Sequence, residues 1–480
     1  MQNWRSAMSG FRLLLLLTFL SSSYAQTIDQ ALWYELLYPV ASARAAGIGI
    51  AFAGIADDGS AMLSNPAGLA LIPAREAVAG FTLTNAFATI SNLPQTETFH
   101  RSGFQLSDLH LVGSFDNVLA DRFILGGGLF LRSTSQFSYS LSGMNIASSQ
   151  LSLLDSYYQP YAKPPILDEL RDDSLYTLPG DDSLFYKATL SESGTLYSAN
   201  LAATIDLSNR ISFGLGINLY IGNYKIFRSH IEIDTLNIYH SEAPAGRRIP
   251  FDRLVYTENT VQTAVGHSIS FGVMFRPTPT FRLGIGIESA PSFSLKNRLQ
   301  LTASIRKDDG EEANFSDQLS ANEYIQDLSY RIHVGASYHF PRYGLTLAAA
   351  VRFSDPSNIM VTKKPSIILL DSPDTDLLPQ QWLSALWTAG IGIELDPPSA
   401  WYAIRGGITL MNSPYRSSSR IFPIVHAGAA LYPLANLRVE LFTTVGNFVL
   451  PHQPIHTTYY PLTLSTLRTT LGMQLTFRFQ

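Results

Sequence analysis

The stretch Thr466-Leu467-Arg468-Thr469-Thr470-Leu471-Gly472-Met473-Gln474-Leu475-Thr476-Phe477-Arg478-Phe479 decides the fold. Leu467, Leu471, Met473, Leu475, Phe477 and Phe479 share one parity; Thr466, Arg468, Thr470, Gln474, Thr476 and Arg478 share the other. In an extended strand successive side chains point to opposite faces, so the two sets form one apolar and one polar face. The same period recurs upstream. Ile211, Phe213, Leu215, Ile217, Leu219 and Ile221 alternate with Ser212, Gly214, Gly216, Asn218 and Tyr220. Leu328, Tyr330, Ile332, Val334, Ala336, Tyr338 and Phe340 alternate with Ser329, Arg331, His333, Ser337 and His339.

A soluble sandwich also alternates, and two further features separate the cases. The non-apolar parity is small and polar, rich in Gly, Ser, Thr and Asn, where a face in bulk water would carry more Lys and Glu. The connections also alternate in length. Short turns at 117–121, 208–209, 277–280, 341–342, 396–399 and 433–435 are interleaved with long connections near 86–106, 134–194, 229–260, 306–327, 355–384, 412–421 and 450–465. Short turns on one rim and long loops on the other are the pattern of an outer-membrane barrel, and only a closed barrel lets strands cross a bilayer with every backbone group paired.

Candidate strands fall near 77–85, 107–116, 122–133, 195–207, 210–228, 261–276, 281–305, 327–340, 343–354, 385–395, 400–411, 422–432, 436–449 and 466–479, fourteen in all. Pro291 invites a split of 281–305, but Leu283, Ile285 and Ile287 continue in phase to Phe293, Leu295, Leu299 and Leu301. We read one long strand with a bulge or kink at Pro291. The expected fold is therefore all-β: a 14-stranded antiparallel transmembrane β-barrel spanning 77–480.

Composition agrees. Of 480 residues 46% are hydrophobic and only 15% charged, against about 25% charged in soluble chains. After residue 25 no run approaches the ~18 apolar residues of a spanning helix, which argues against a helical transporter. A net charge of -5 with no basic block disfavours nucleic acid as a partner. The absence of cysteine excludes disulfides and thiolate chemistry. At the N-terminus, Arg5 and Arg12, the apolar run from Leu13 to Leu20 and Ser23-Tyr24-Ala25 read as a signal peptide over 1–25, cut after Ala25; the apolar core is short for a membrane anchor.

Residues 26–76 lack barrel alternation. Asp29 to Val40 can form a short helix with Leu32, Leu36 and Leu37 on one face. A small, Gly-rich run follows from Arg44 through Gly47, Gly49 and Gly54, then Asp57-Asp58-Gly59 and Asn65-Pro66-Ala67. Such side chains let backbones approach closely and suit a segment folded inside a barrel. The run from Arg44 to Leu69 resembles the N-terminal signature of the FadL/TodX family of outer-membrane hydrophobic-compound transporters, and is similar to that of the related PorV/PorQ family. The resemblance implies an N-terminal hatch that plugs the lumen, with Gly47, Gly49, Gly54, Asp57, Asp58, Asn65, Pro66 and Ala67 as its motif and Asn65-Pro66 as its pivot. It also implies passive uptake of hydrophobic molecules such as fatty acids. On the PorV/PorQ side it implies a barrel that holds secreted cargo or a secretion channel. Expected partners are outer-membrane lipids, an apolar ligand and the barrel assembly machinery. That machinery usually reads a terminal Phe, and here Gln480 follows Phe479.

In the fatty-acid transporters the third strand is kinked and opens a lateral gap. Gly126, Gly127 and Gly128 lie in the third strand here, and either frame such a gate or permit tight packing against the hatch. Inward charges recur at Arg276, Arg282, Glu288, Arg331, Arg352, Glu394, Arg405, Arg438, Glu440, Arg468 and Arg478. They read as a lumen network that holds the hatch, since charges at low dielectric need partners, or as a carboxylate-binding site. His267 falls on the lipid parity, and His452 and His456 lack a nearby carboxylate, so no metal site is expected. No H-E-x-x-H, G-x-S-x-G or phosphate loop occurs, and neither catalysis nor a cofactor is expected. Tyr157, Tyr158, Tyr161, Ile367, Ile368, Leu369, Leu370 and Trp382 are candidates for an apolar groove in the long loops.

Overall fold

A computed structural model describes residues 28–35, 42–73, 75–91, 97–115, 122–144, 185–208, 210–237, 252–363, 380, 383–398, 400–416, 418–447 and 463–479. The expected signal peptide, the eight groove candidates, His452, His456 and Gln480 lie outside these residues.

The strands are β1 (Arg75–Ser91), β2 (Glu97–Phe115), β3 (Arg122–Met144), β4 (Phe185–Ser208), β5 (Ile211–Ile233) and β6 (Arg253–Thr278). They continue as β7 (Phe281–Glu288), β8 (Ser292–Arg306), β9 (Glu312–Asp327), β10 (Arg331–Phe340), β11 (Leu345–Ser354) and β12 (Met360–Lys363). The last five are β13 (Leu386–Leu395), β14 (Tyr402–Asn412), β15 (Ile421–Leu434), β16 (Leu437–Gly446) and β17 (Thr463–Phe479). All pairings are antiparallel, and β1 closes the ring by pairing with both β2 and β17.

The ring has fourteen staves because three of them are each built from two strands. Both β7 and β8 pair along β6, one above the other, with a break at Ser289–Pro291. On the other edge β7 pairs with β10 and β8 with β9, so β9 and β10 form the next stave, broken at Leu328–Tyr330. Then β11 pairs with β10 and β12 with β9, giving a third stave broken between Ser354 and Met360. The continuous stave expected over 281–305 is thus present along β6 with its break at Pro291. The single strand expected over 327–340 is β10; the sequence did not show that β9, read as part of a long loop, continues the same stave above it.

The staves are also taller than the sequence suggests. Stretches read as long loops, among them 97–106, 134–144, 185–194, 253–260 and 312–327, continue the sheet. The reason is physical. Above the apolar belt neither face meets lipid, so the period-two apolar signal disappears while the ladder bonds persist. In β9 the sequence EANFSDQLSANEYIQD shows no alternation at all.

Within the belt the parity holds. Leu471, Met473, Leu475, Phe477 and Phe479 face outward and are exposed, whereas Thr470, Gln474 and Thr476 are buried in the lumen. Trp401, Tyr402 and Tyr343 are exposed near the short-turn rim, as in the aromatic girdles of membrane barrels. No helix among the described residues is long and apolar enough to cross a membrane.

Candidate functional site

Residues 42–73 fold inside the barrel. Helix Ala43–Ile48 is capped by Ser42, whose hydroxyl accepts from Ala45 N–H at 3.1 Å and donates to Asp58 at 2.6 Å. Three 3-10 turns follow, Gly49–Gly54, Gly59–Leu63 and Pro66–Leu71. Asp58 caps the second through Ser60 N–H at 2.8 Å, and Asn65 caps the third through Ala67 N–H at 3.2 Å. The residue order is therefore a capping code: Ser, Asp and Asn stand where the chain must start a turn.

The Asn65-Pro66-Ala67 triplet docks against four staves. Asn65 Nδ2 donates to the Val273 carbonyl at 3.1 Å, Thr204 Oγ1 to the Pro66 carbonyl at 2.6 Å, and Ser212 Oγ to the Ala67 carbonyl at 3.0 Å. The wall is glycine where the triplet meets it: a Cβ at Gly286 would overlap the Ser64 carbonyl, and one at Gly272 the Asn65 side chain. Gly54 meets Gly335 in the same backbone-to-backbone way, and Gly47 approaches Gly428. Gly49 adopts φ +76°, a conformation that favours glycine.

Charge holds the other side. Arg44 donates from Nε and Nη2 to Glu394 at 2.7 and 2.5 Å and also pairs with Asp57. Arg282 reaches Asp57 at 3.0 Å, and Arg405 joins Glu394 to Glu440, each at 2.6 Å. Burial alone would raise the Asp57 carboxyl, but Arg44 and Arg282 outweigh it and hold it below the ordinary carboxylate value. Asp58 goes the other way: burial raises it, and its hydrogen bonds to Ser42 and Ser60 only partly offset this. Glu76 accepts Gly59 N–H at 3.1 Å and lies 3.6 Å from Arg478. Most inward charges named from the sequence thus hold the plug or brace the wall beside it. Arg276 pairs with Asp206, and Arg331 with Glu288.

Above the plug lies a cavity of about 150 Å³. Its floor is Ala45, Gly49, Ile50, Phe52 and Leu63 of the plug; its walls set the apolar Leu131, Met411, Ile424 and Phe442 among threonines and the side chains of His333, His426, Arg352 and Arg468. Higher still, the N-terminal helix Ile28–Glu35 packs Leu32, Trp33 and Tyr34 into a cluster with Tyr220, Tyr224, Phe293, Tyr324 and Leu386.

Gly126, Gly127 and Gly128 are paired on both edges, with Val112, Leu111 and His110 of β2 and with Ala202, Leu201 and Asn200 of β4. A Cβ at Gly126 would press on Met62 and Leu69 of the plug, one at Gly127 on Leu201, and one at Gly128 on His110. The β2–β3 ladder ends just above them at Asp108–Phe130. Beyond that point β2 keeps its pairing with β1 and β3 with β4, each after a register shift beside Ser107 and Arg132, but β2 and β3 no longer pair with one another. The wall therefore parts above the triplet. Sequence reading missed the residues that mark this place, because one extra residue in a strand leaves no pattern beyond a slipped parity. It also missed Glu35, which shares a helical face with Leu32 at i, i+3.

Fold and lumen together define a fourteen-stave barrel with an apolar outer belt, a plug tied in by backbone contacts and buried ion pairs, and a lined cavity above. No protein-family model matches the chain, and no curated protein does. Solved structures do match. The toluene transporter TodX of Pseudomonas putida superposes with TM-score 0.55 at 14% identity, covering 88% of this chain and 94% of that one. A Pseudomonas aeruginosa FadL homologue gives 0.57 at 12%, covering 96% and 100%. The Ralstonia pickettii toluene transporter TbuX gives 0.51 at 13%, covering 91% and 99%. At these identities the likeness is one of fold.

Proposed function

We propose that this chain is an outer-membrane channel for the passive uptake of hydrophobic compounds such as long-chain fatty acids. The observation that carries the reading is the combination of a plugged lumen with an unpaired β2–β3 edge above the plug. A polar solute needs an open pore, which residues 42–73 deny it. An apolar solute can bind in the lined lumen and leave sideways into lipid, where a parted wall serves it and a closed wall would not. The ladder ends at Asp108–Phe130 and the unpaired stretches continue above the apolar belt, so an apolar solute would leave the lumen at the belt's outer edge. Barrels of the same fold include two toluene transporters and a FadL homologue, which supports the class of solute.

Export by the 1–25 signal peptide and insertion by the barrel assembly machinery belong to the same reading. The plug motif would act as a hatch that shifts about Asn65-Pro66, and Gly126, Gly127 and Gly128 would form the lower edge of the lateral gate. No step of this needs a catalytic residue, a metal or a cofactor. Uptake of labelled oleate by cells with and without the gene tests the proposal. Faster uptake with the gene is expected; equal uptake with the barrel correctly inserted sinks it and leaves the cargo-holding, PorV/PorQ-like role as the reading to pursue.

A further inference from the structure

The three broken staves are interrupted at one height, at Ser289–Pro291, at Leu328–Tyr330 and between Ser354 and Met360. A break in a ladder leaves backbone groups without their strand partners, and inside a barrel these must be satisfied some other way. Across the first break, Leu328 N–H donates to the Pro291 carbonyl at 2.9 Å. At Ser329 the partner comes from elsewhere in the chain. Glu35, the last residue of the N-terminal helix, accepts from Ser329 N–H at 3.3 Å and from Ser329 Oγ at 2.6 Å. Arg331 Nη2 lies 3.5 Å from the same carboxylate, while its Nη1 donates to Glu288 at 3.2 Å.

The three residues before Glu35 are apolar or aromatic and fill the space beside that carboxylate site. Trp33 stacks on Tyr224 with ring centres 4.7 Å apart and an interplanar angle of 27°. Tyr34 lies against Phe293 at 5.1 Å, and its hydroxyl donates to Gln262, which in turn bonds Asn297 and Tyr324. Leu32 is fully buried in the same cluster. The wall thus offers a cationic and hydrogen-bonding end at Arg331 and Ser329, next to an apolar, aromatic chamber. A molecule with one carboxylate and an apolar body fits that description, and the turn Leu32–Glu35 has the same chemistry.

We propose that the turn Leu32-Trp33-Tyr34-Glu35 is a built-in competitor occupying the binding site of a carboxylate-headed apolar ligand. The ligand carboxylate would take the place of Glu35 on Ser329 and Arg331, and its apolar body the place of Trp33 and Tyr34. This deepens the uptake reading and rests on it for the physiological role, though not for the binding. One detail of the occupant's fit favours its release. Trp33 Nε1 is buried with no hydrogen-bond partner among the described residues, a cost that an aliphatic body in the same chamber does not incur.

A competitor that fills the site most of the time lowers apparent affinity by the fraction of time the site is free. If the turn occupies it in about nine molecules of ten, removing the competitor tightens binding about tenfold. The test is equilibrium binding of tritiated oleate to the purified full chain in non-ionic detergent, with oleyl alcohol as the uncharged probe. Glu35→Gln and Trp33→Ala are each expected to lower the Kd for oleate about tenfold. Glu35→Gln should improve oleate and oleyl alcohol by the same factor, because weakening a competitor frees the site equally for any ligand that displaces it. In the unmodified chain oleate should bind the more tightly of the two, because only its carboxylate takes the place of Glu35 on Arg331. A Kd unchanged or raised in both variants overturns the proposal, and oleate bound no more tightly than oleyl alcohol by the unmodified chain overturns the headgroup assignment.

A second measurement needs only one conservative variant, as a reference. Trp33 emission, assigned by difference from Trp33→Phe, should become more accessible to acrylamide as oleate saturates. Shielding that persists at saturation refutes displacement. Tightened oleate binding with no cellular uptake would defeat the uptake reading and leave this site standing. Normal uptake with no change in binding would do the reverse.

Discussion

Replacing Arg44 by alanine should turn the plugged barrel into a leaking one. Arg44 is buried and makes two parallel bonds to Glu394, at 2.7 and 2.5 Å, besides its pair with Asp57. Breaking a buried ion pair from one side costs about 3–5 kcal/mol, because the remaining charge is left without compensation. Here neither carboxylate is left wholly bare: Glu394 keeps Arg405 at 2.6 Å and Asp57 keeps Arg282 at 3.0 Å. We therefore take the lower bound, about 3 kcal/mol, which corresponds to a shift of about a hundredfold in the docked-to-undocked ratio of the plug. Arg44→Lys keeps the charge but loses the fork and should fall between. Liposomes bearing the purified chain, swollen in an isosmotic small sugar, read the leak directly. The unmodified chain should stay tight, Arg44→Ala should swell, and the rim control Arg306→Ala should not. Arg306 pairs with Asp252 on an exposed edge, where such pairs contribute about 1 kcal/mol or less. Identical swelling rates for Arg44→Ala and the unmodified chain would refute the idea that this network holds the plug.

Gly286→Ala places a Cβ on the Ser64 carbonyl and should produce the same sugar leak with every ion pair intact; a tight barrel would show that the glycine contact does not seat the plug. Acid should loosen the plug as well. Asp57 sits below its ordinary value, so its contribution to docking is complete above that value and is lost as pH falls through its own. Sugar leakage should therefore rise only in strongly acid buffer, and Asp57→Asn should leak already at pH 7; a variant that is tight at pH 7 contradicts this. Within the triplet, Gly126→Val meets Met62 and Leu69 of the plug and should abolish oleate uptake in an assembled barrel, whereas Gly127→Val points to the lipid side beside Leu201 and should leave it unchanged. Loss in both, or in neither, would remove the triplet from the path.

The wall was legible wherever lipid imposes its period. Leu467 to Phe479 and Ile211 to Ile221 announce both the strand and the face that meets the bilayer, since one side must be apolar and the other need not be. Above the belt that constraint lapses, and 97–106, 134–144 and 312–327 could not be told from loops although they are strands. The plug motif was visible as small residues, but the reason for each is tertiary. Gly286 and Gly272 are needed only because Ser64 and Asn65 lie against them, and nothing local signals this. The inward charges could be enumerated but not paired: Arg405 joins Glu394 to Glu440 across three staves, and Arg44 reaches the same carboxylate from 350 residues away. The breaks at Ser289, Leu328 and Asp355 are of the same kind. Pro291 marks the first, whereas the second falls at the start of the alternating run from Leu328, beside a β9 that shows no alternation, and only the Glu35 carboxylate against Ser329 shows what fills it.

The most direct test of the account compares two solutes in the same cells, labelled oleate and a small polar sugar, with and without the chain in the outer membrane. A plugged barrel that passes only apolar molecules predicts faster oleate entry and unchanged sugar entry. Equal acceleration of both would mean an open pore, and no acceleration of oleate by a correctly inserted barrel would contradict the account outright.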